Sequence, residues 1–391
     1  MNRKGVCYDV GRVLGGSNWR PRFDPRAVHR ELEIIKNDLH CNAVRICGLD
    51  LDRLTTAAED ALSQGLEVWL SPEMWDRSQD ETVAYVSGAA ERAEELRRRW
   101  PGRLVLSVGS ELTLFSQGMV EGESVFDRLS RPSLWSDIQA GKHNAPLGAY
   151  LSRLGEAARG SFRGPLTYFS LPFESVDWRP FEFFGVDHYR DAQNRGYYGR
   201  MIERYKASGK PVVIGEFGCC TFRGADLLGA NGFMITFGMM ESLLGPNQRF
   251  PKAFLEMAHL PPRADGHYVR DEELQARELV DQLEVLDAAG VEGAFVQTFV
   301  VPNSPYRPDP RYDSDMANFS LVKSFPEAET QEELRRQAIR EAREMWGMDL
   351  DPRALDGLFS GPTGEHGATY PDLPWEPKES FRAVARYYAE H

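Results

Sequence analysis

The chain has no uninterrupted apolar run approaching the roughly eighteen residues that a membrane span needs. Its start, Met1-Asn-Arg-Lys-Gly-Val-Cys-Tyr-Asp9, carries basic residues with no apolar stretch behind them. No membrane partner is therefore expected, and the expected location is cytoplasmic. Positive charge is also in short supply: 46 Lys and Arg face 59 Asp and Glu, a formal net charge of −13. Phosphate backbones are held by many Lys and Arg contacts, so this balance argues against a nucleic-acid partner and leaves neutral substrates open. Cysteine is scarce. The five, Cys7, Cys41, Cys47, Cys219 and Cys220, are odd in number and lack C-x-x-C spacing, which argues against a disulfide framework and a zinc site. They read as small buried side chains, the Cys219-Cys220 pair included.

What is present suits a soluble enzyme with a full core: 42% apolar and 11% aromatic residues. Short β-rich runs alternate with helical patterns about eight times, the signature of parallel βα units. The runs are Gly5–Asp9, Asn42–Cys47, Gly65–Ser71, Leu104–Glu111, Pro165–Ser170, Phe183–Asp187, Pro211–Glu216 and Gly293–Phe299. Between them lie patterned helices. Asp24 and Pro25 start one in which Val28, Leu32, Ile35 and Leu39 share a face, and Val83, Val86, Ala90, Ala93 and Leu96 form the stripe of another, ending in the solvated run Arg97-Arg98-Arg99.

The expected fold is α/β, a (β/α)8 TIM barrel of 391 residues forming one catalytic domain over 1–391. Segments 112–145 and 217–271 exceed a minimal barrel and are expected as loop insertions at the active-site face. Segment 324–374, with a helix near Gln331–Trp346 and a Gly/Pro-rich stretch through Gly361, Pro362 and Pro374, is expected as an embellishment before a final helix over 376–390.

The runs ending in Glu111 and Glu216 each deliver a glutamate at the carboxyl end of a strand. In a parallel barrel both ends open into one mouth, where paired acids can protonate and attack a glycosidic bond. One carboxyl must hold its proton near neutral pH while the other stays ionised. Arg45, near the end of the second run, is placed to provide that asymmetry.

With Val108-Gly-Ser-Glu111-Leu, Ile214-Gly-Glu216-Phe-Gly, Arg45 and Tyr189 in view, the chain resembles the clan A glycoside hydrolases, TIM-barrel retaining enzymes with glutamates on strands four and seven. The resemblance, spread over most of the chain in scattered motifs, implies Glu111 as acid/base, Glu216 as nucleophile, Arg45 as its support and Tyr189 as its hydrogen-bond partner. Phe319-Ser-Leu-Val and Pro377-Lys-Glu-Ser-Phe are similar to the closing segments of such enzymes. Two positions depart. The family usually has Asn before the acid/base, holding the sugar 2-hydroxyl, and Ser110 stands there; it usually has Trp on strand eight, and Gln297 stands there. These point to an atypical substrate or to a site without hydrolysis.

Ser110, Tyr189, Gln297, Asp9 and His188 join Arg45 as expected substrate-binding residues, although His188 reads more readily as a buried structural histidine. Of the aromatics Trp19, Trp75, Phe115, Trp178 and Phe222, Trp75 directly follows strand three and is the expected sugar platform. The leading reading is a retaining glycosidase acting on a small β-linked glycoside or oligosaccharide, requiring no cofactor or metal; oligomeric state is left open. Two alternatives remain: a divalent-metal sugar isomerase or epimerase using Glu73, Glu111, Asp187 and Glu216, and a carbohydrate-binding barrel without turnover.

Overall fold

A computed structural model of the chain describes residues 1–241, 267–361 and 369–391. Part of the expected 217–271 insertion, and Pro362 of the Gly/Pro-rich stretch, lie outside the described residues. Eight strands carry the architecture: β1 (Arg3–Asp9), β2 (Ala43–Gly48), β3 (Glu67–Pro72), β4 (Leu104–Ser110), β5 (Leu166–Ser170), β6 (Phe184–Asp187), β7 (Val212–Phe217) and β8 (Gly293–Val296). Each is parallel to its neighbours in chain order, and β1 pairs with β8 through Arg3↔Gly293 and Val6↔Val296, closing the barrel. This is the expected (β/α)8 barrel. Strands covered on both faces need near-continuous apolar runs, and Val212-Val-Ile is one.

The outer helices follow their sequence signals. Asp24 caps the helix Pro25–Asn37 by accepting from the Arg26 amide, and Val28, Leu32, Ile34 and Ile35 face inward. Ser78 and Glu81 form a capping box at the start of Gln79–Arg99, whose arginine-rich end pairs Arg97 and Arg98 with Glu94. The final helix spans Glu379–Glu390. Among the described residues no helix is long and apolar enough to cross a membrane.

Inside the barrel, the amino-terminal half is an aromatic plug: Trp69 has the rings of Phe183, Phe295 and Phe169 at 4.8, 5.5 and 6.1 Å. The plug demands small neighbours. A Cβ on Gly5 would sit 2.3 Å from the Phe295 ring, and one on Gly215 only 2.2 Å from Phe169 and 2.5 Å from Asp187 Oδ1. Above it the interior becomes charged, beginning with the Arg45 guanidinium 3.8 Å from the Phe169 ring centre.

The 324–374 segment does more than precede the last helix. An antiparallel ribbon of Val322–Ser324 and Trp375–Pro377 brings its ends together. Its helix Ala328–Trp346 reaches the barrel mouth, where Gln337 Nε2 donates to Ser17 Oγ at 2.6 Å.

Candidate active site

A cavity of about 330 Å³ opens at the carboxyl ends of the strands, and both Glu111 and Glu216 line it. Glu216 comes from the end of β7 and Glu111 from the residue after β4. Glu111 adopts a left-handed backbone (φ +51°), unusual for a side-chain-bearing residue, while its amide donates to the Phe169 carbonyl at 2.8 Å.

The two carboxyls have unlike surroundings. Glu216 Oε1 accepts from Arg12 at 2.6 Å and lies 3.4 Å from Arg45, and Glu216 Oε2 accepts from the Tyr189 hydroxyl at 2.8 Å. Burial by itself would raise its pKa; the Arg12 charge, then Arg45 and the hydrogen bonds, outweigh burial and hold it below the ordinary carboxylate value. For Glu111, burial acts first, and the negative charges of Asp187, Glu216 and Glu174 add to it. Arg45 opposes them, yet the carboxyl is pushed well above its usual range. The two acids are thus driven in opposite directions, Glu216 toward the ionised form and Glu111 toward the protonated one.

A buried ion cluster fixes this contrast. Arg45, fully buried, donates to Asp187 at 2.9 Å and to Glu73 at 3.3 Å. Arg12 binds Glu73 at 2.6 Å through Nε while reaching Glu216 through its other arm. Asp187 accepts from Ser110 Oγ at 2.6 Å. Burial pushes Asp187 up to about 7, against Arg45 and with Glu216.

The structure brings Ser110, Tyr189, Trp75 and Gln297 to the cavity wall with the two glutamates. Ser110, in the place of the implied Asn, has its hydroxyl committed to Asp187. The Gln297 carbonyl oxygen and the Trp75 indole nitrogen are buried without a hydrogen-bond partner among the described residues. Trp75 stacks on Phe115 at 4.4 Å, and Trp19 meets its edge at 6.0 Å.

Three expected substrate-binding residues sit elsewhere, behind the wall rather than on it. Arg45 acts through Glu216 and Asp187. Asp9 accepts from the Gly11 and Arg12 amides at 2.7 and 2.9 Å, shaping the turn that aims Arg12. His188 is buried with Nδ1 at 2.9 Å from the Tyr205 hydroxyl, and burial pushes its imidazole down to about 4. Of the remaining aromatics, Trp178 lies against Phe184 at 4.2 Å, and Phe222 is in a separate buried cluster with Cys219 and Cys220.

Of the four carboxylates considered as metal ligands, Glu73, Asp187 and Glu216 are ion-paired to Arg12 or Arg45. Among the described residues no group of three or more His, Cys, Asp or Glu side chains is arranged to hold an ion.

Sequence reasoning missed Arg12, the closest cation to Glu216, although Asp9-Val-Gly-Arg12 is a turn signal at the carboxyl end of β1. It also missed Asn303, Asn318 and Glu341, cavity residues each with a buried, unpartnered polar atom.

By sequence the chain matches no protein-family profile and no curated protein. By structure it is similar to a GH113 β-1,4-mannanase, with a TM-score of 0.53 and 14% identity over 100% of both chains. Two further solved structures align less well. A β-glucosidase 1317 gives 0.47 at 12% identity over 100% of this chain and 98% of that one. A calcium-binding mutant of Bacteroides uniformis β-glucuronidase 2 gives 0.48 at 11% identity over 86% of this chain and 34% of that one, so the chain spans about a third of that protein's length. At such identities the likeness establishes the fold: the barrel is one that a mannanase also uses.

Proposed function

We propose that this chain is a retaining glycosidase for a β-linked glycoside. The observation that carries the reading is the unlike setting of two glutamates on one cavity: Glu216 sits against Arg12, Arg45 and the Tyr189 hydroxyl, which hold its pKa below the ordinary value, and Glu111 is buried among carboxylates, which push its pKa up.

In the first step a Glu216 oxygen attacks the anomeric carbon as the bond to the leaving oxygen breaks, and Glu111 gives that oxygen its proton. In the second, Glu111, now ionised, takes a proton from water, whose oxygen displaces Glu216 from the anomeric carbon. Tyr189 and Arg12 position the nucleophile. Trp75 and Gln297 line the cavity beside the two glutamates, where the Trp75 ring is a candidate platform for the sugar. Phe115 and Phe126 from segment 112–145, and Phe233 and Phe237 from the described part of 217–271, line the cavity of this single catalytic domain.

The test uses two variants, an activated dinitrophenyl β-glycoside panel and azide. Glu216→Ala with azide should give the glycosyl azide of inverted configuration, and Glu111→Ala the azide of retained configuration. Wild-type turnover by Glu216→Ala, or reversed stereochemistry between the two, would remove the assignment.

A further inference from the structure

The cavity has two unlike sides. One holds Arg12, Trp75, Glu111, Glu216 and Gln297. The other is made by two segments remote in sequence: the stretch around the helix Ile235–Glu241, and the helix Ala328–Trp346 with the residues just after it. From these the cavity receives Phe233, Phe237, Met240, Ala342, Met345 and Met348, while Thr236 and Glu341 are their only polar contributions among the described residues.

A sugar laid against these two segments would find only Thr236 and Glu341 on them as hydrogen-bond partners, Asn303 and Asn318 being among the cavity's other polar side chains, whereas an apolar group needs none. Aromatic and methionine side chains instead fill their volume against an apolar body, methionine adapting its flexible thioether to the shape. Packing around this wall is close: Met345 Sδ lies where a Cβ on Gly15 would come within 2.4 Å. Within it, Glu341 Oε1 is buried with no hydrogen-bond partner among the described residues. Burial pushes its carboxyl up to about 7 against the nearby Ser17 and Gln337 side chains, so near neutrality it can donate or accept.

We propose that this side of the cavity is the leaving-group subsite for a hydrophobic, ring-sized aglycone carrying a polar substituent, with Glu341 as the residue that meets the substituent. The proposal rests on the glycosidase reading for the occupant's role as leaving group. The substrate class is then a glycoside of an aromatic or polycyclic alcohol, not an oligosaccharide, and hydrolysis releases that alcohol with the proton delivered by Glu111.

The experiment is calorimetric titration of the full chain with 2-naphthol, naphthalene and the disaccharides cellobiose and mannobiose. Wild type should bind 2-naphthol at one site, about ten-fold more tightly than naphthalene and more tightly than either disaccharide. Glu341→Leu should erase the preference for 2-naphthol over naphthalene, and Ala338→Phe, which fills the pocket, should weaken both at least ten-fold with the melting transition retained. Equal or tighter disaccharide binding by wild type overturns the proposal without any variant, and a naphthol preference that survives Glu341→Leu overturns it through one. Azide rescue with no naphthol binding sinks the aglycone proposal alone. Naphthol binding with failed azide rescue sinks the glycosidase reading and leaves a hydrophobic alcohol site.

Discussion

The two halves of the barrel interior obey opposite rules. The amino-terminal half is filled by the packed rings of Trp69, Phe169, Phe183 and Phe295, whose one polar atom, Trp69 Nε1, donates to Glu67 at 2.9 Å. The carboxyl half buries Arg12, Arg45, Glu73, Asp187 and Glu216, which cost solvation free energy unless every charge finds a partner. The difference teaches where stability and reactivity reside: apolar burial below holds open a site whose ions hold one another above.

The largest effect expected on this comparison is at the mouth. Glu216→Ala should lower kcat on the order of 10⁴-fold or more by steady-state assay, while denaturant titration shows a smaller loss of stability than at the plug, because Arg12 and Arg45 keep Glu73 and Asp187 as partners. Trp69→Ala, at the plug, should do the reverse in kind. It should cost about 3–5 kcal/mol of stability in the same titration and leave the shape of the pH profile unchanged in the folded fraction.

A sharper cut is Arg12→Met. Losing the cation 2.6 Å from Glu216 removes the largest influence opposing burial, so the Glu216 pKa rises. The acid limb of kcat/KM, which reports the free nucleophile, should move up by about 1–3 pH units.

The smallest effect tests the raised acid. Glu111 in the folded chain titrates above its ordinary value of 4.5, so between those two pH values the native state keeps a proton that the unfolded chain has lost. Stability must fall as pH rises through that window. Glu111→Gln, which cannot ionise, should match wild type in melting temperature below the window and exceed it by a margin that grows with pH across it. A constant margin contradicts the raised pKa.

The barrel was legible because each strand is a short apolar run with a helix start close behind, as in Gly5–Asp9 and then Asp24-Pro25. Glu111 and Glu216 were legible because a strand end in a parallel barrel has only one place to point. Their electrostatic setting was legible only in part. Arg45 lies on a strand and was found; Arg12 lies in a loop and depends on the Asp9 turn for its direction. The apolar wall was hidden for a different reason. Met345 and Glu341 belong to a helix whose sequence reads as an ordinary amphipathic element, and only the ribbon beside it and the Gln337–Ser17 hydrogen bond carry it to the mouth. Asp9 and His188 show the converse case: polar residues near strand ends whose observed contacts are with the backbone and the packing, as the sequence already favoured for His188.

The most direct measurement is a site-resolved titration of the two glutamates, by carbon NMR of chain labelled at glutamate side-chain carboxyls, with Glu111→Gln and Glu216→Gln used for assignment. Glu216 is predicted to titrate below 4.5 and Glu111 well above it, with the Glu111 midpoint dropping when Glu216 is neutralised. Coincident midpoints near the ordinary carboxylate value, unmoved by either substitution, would contradict the account.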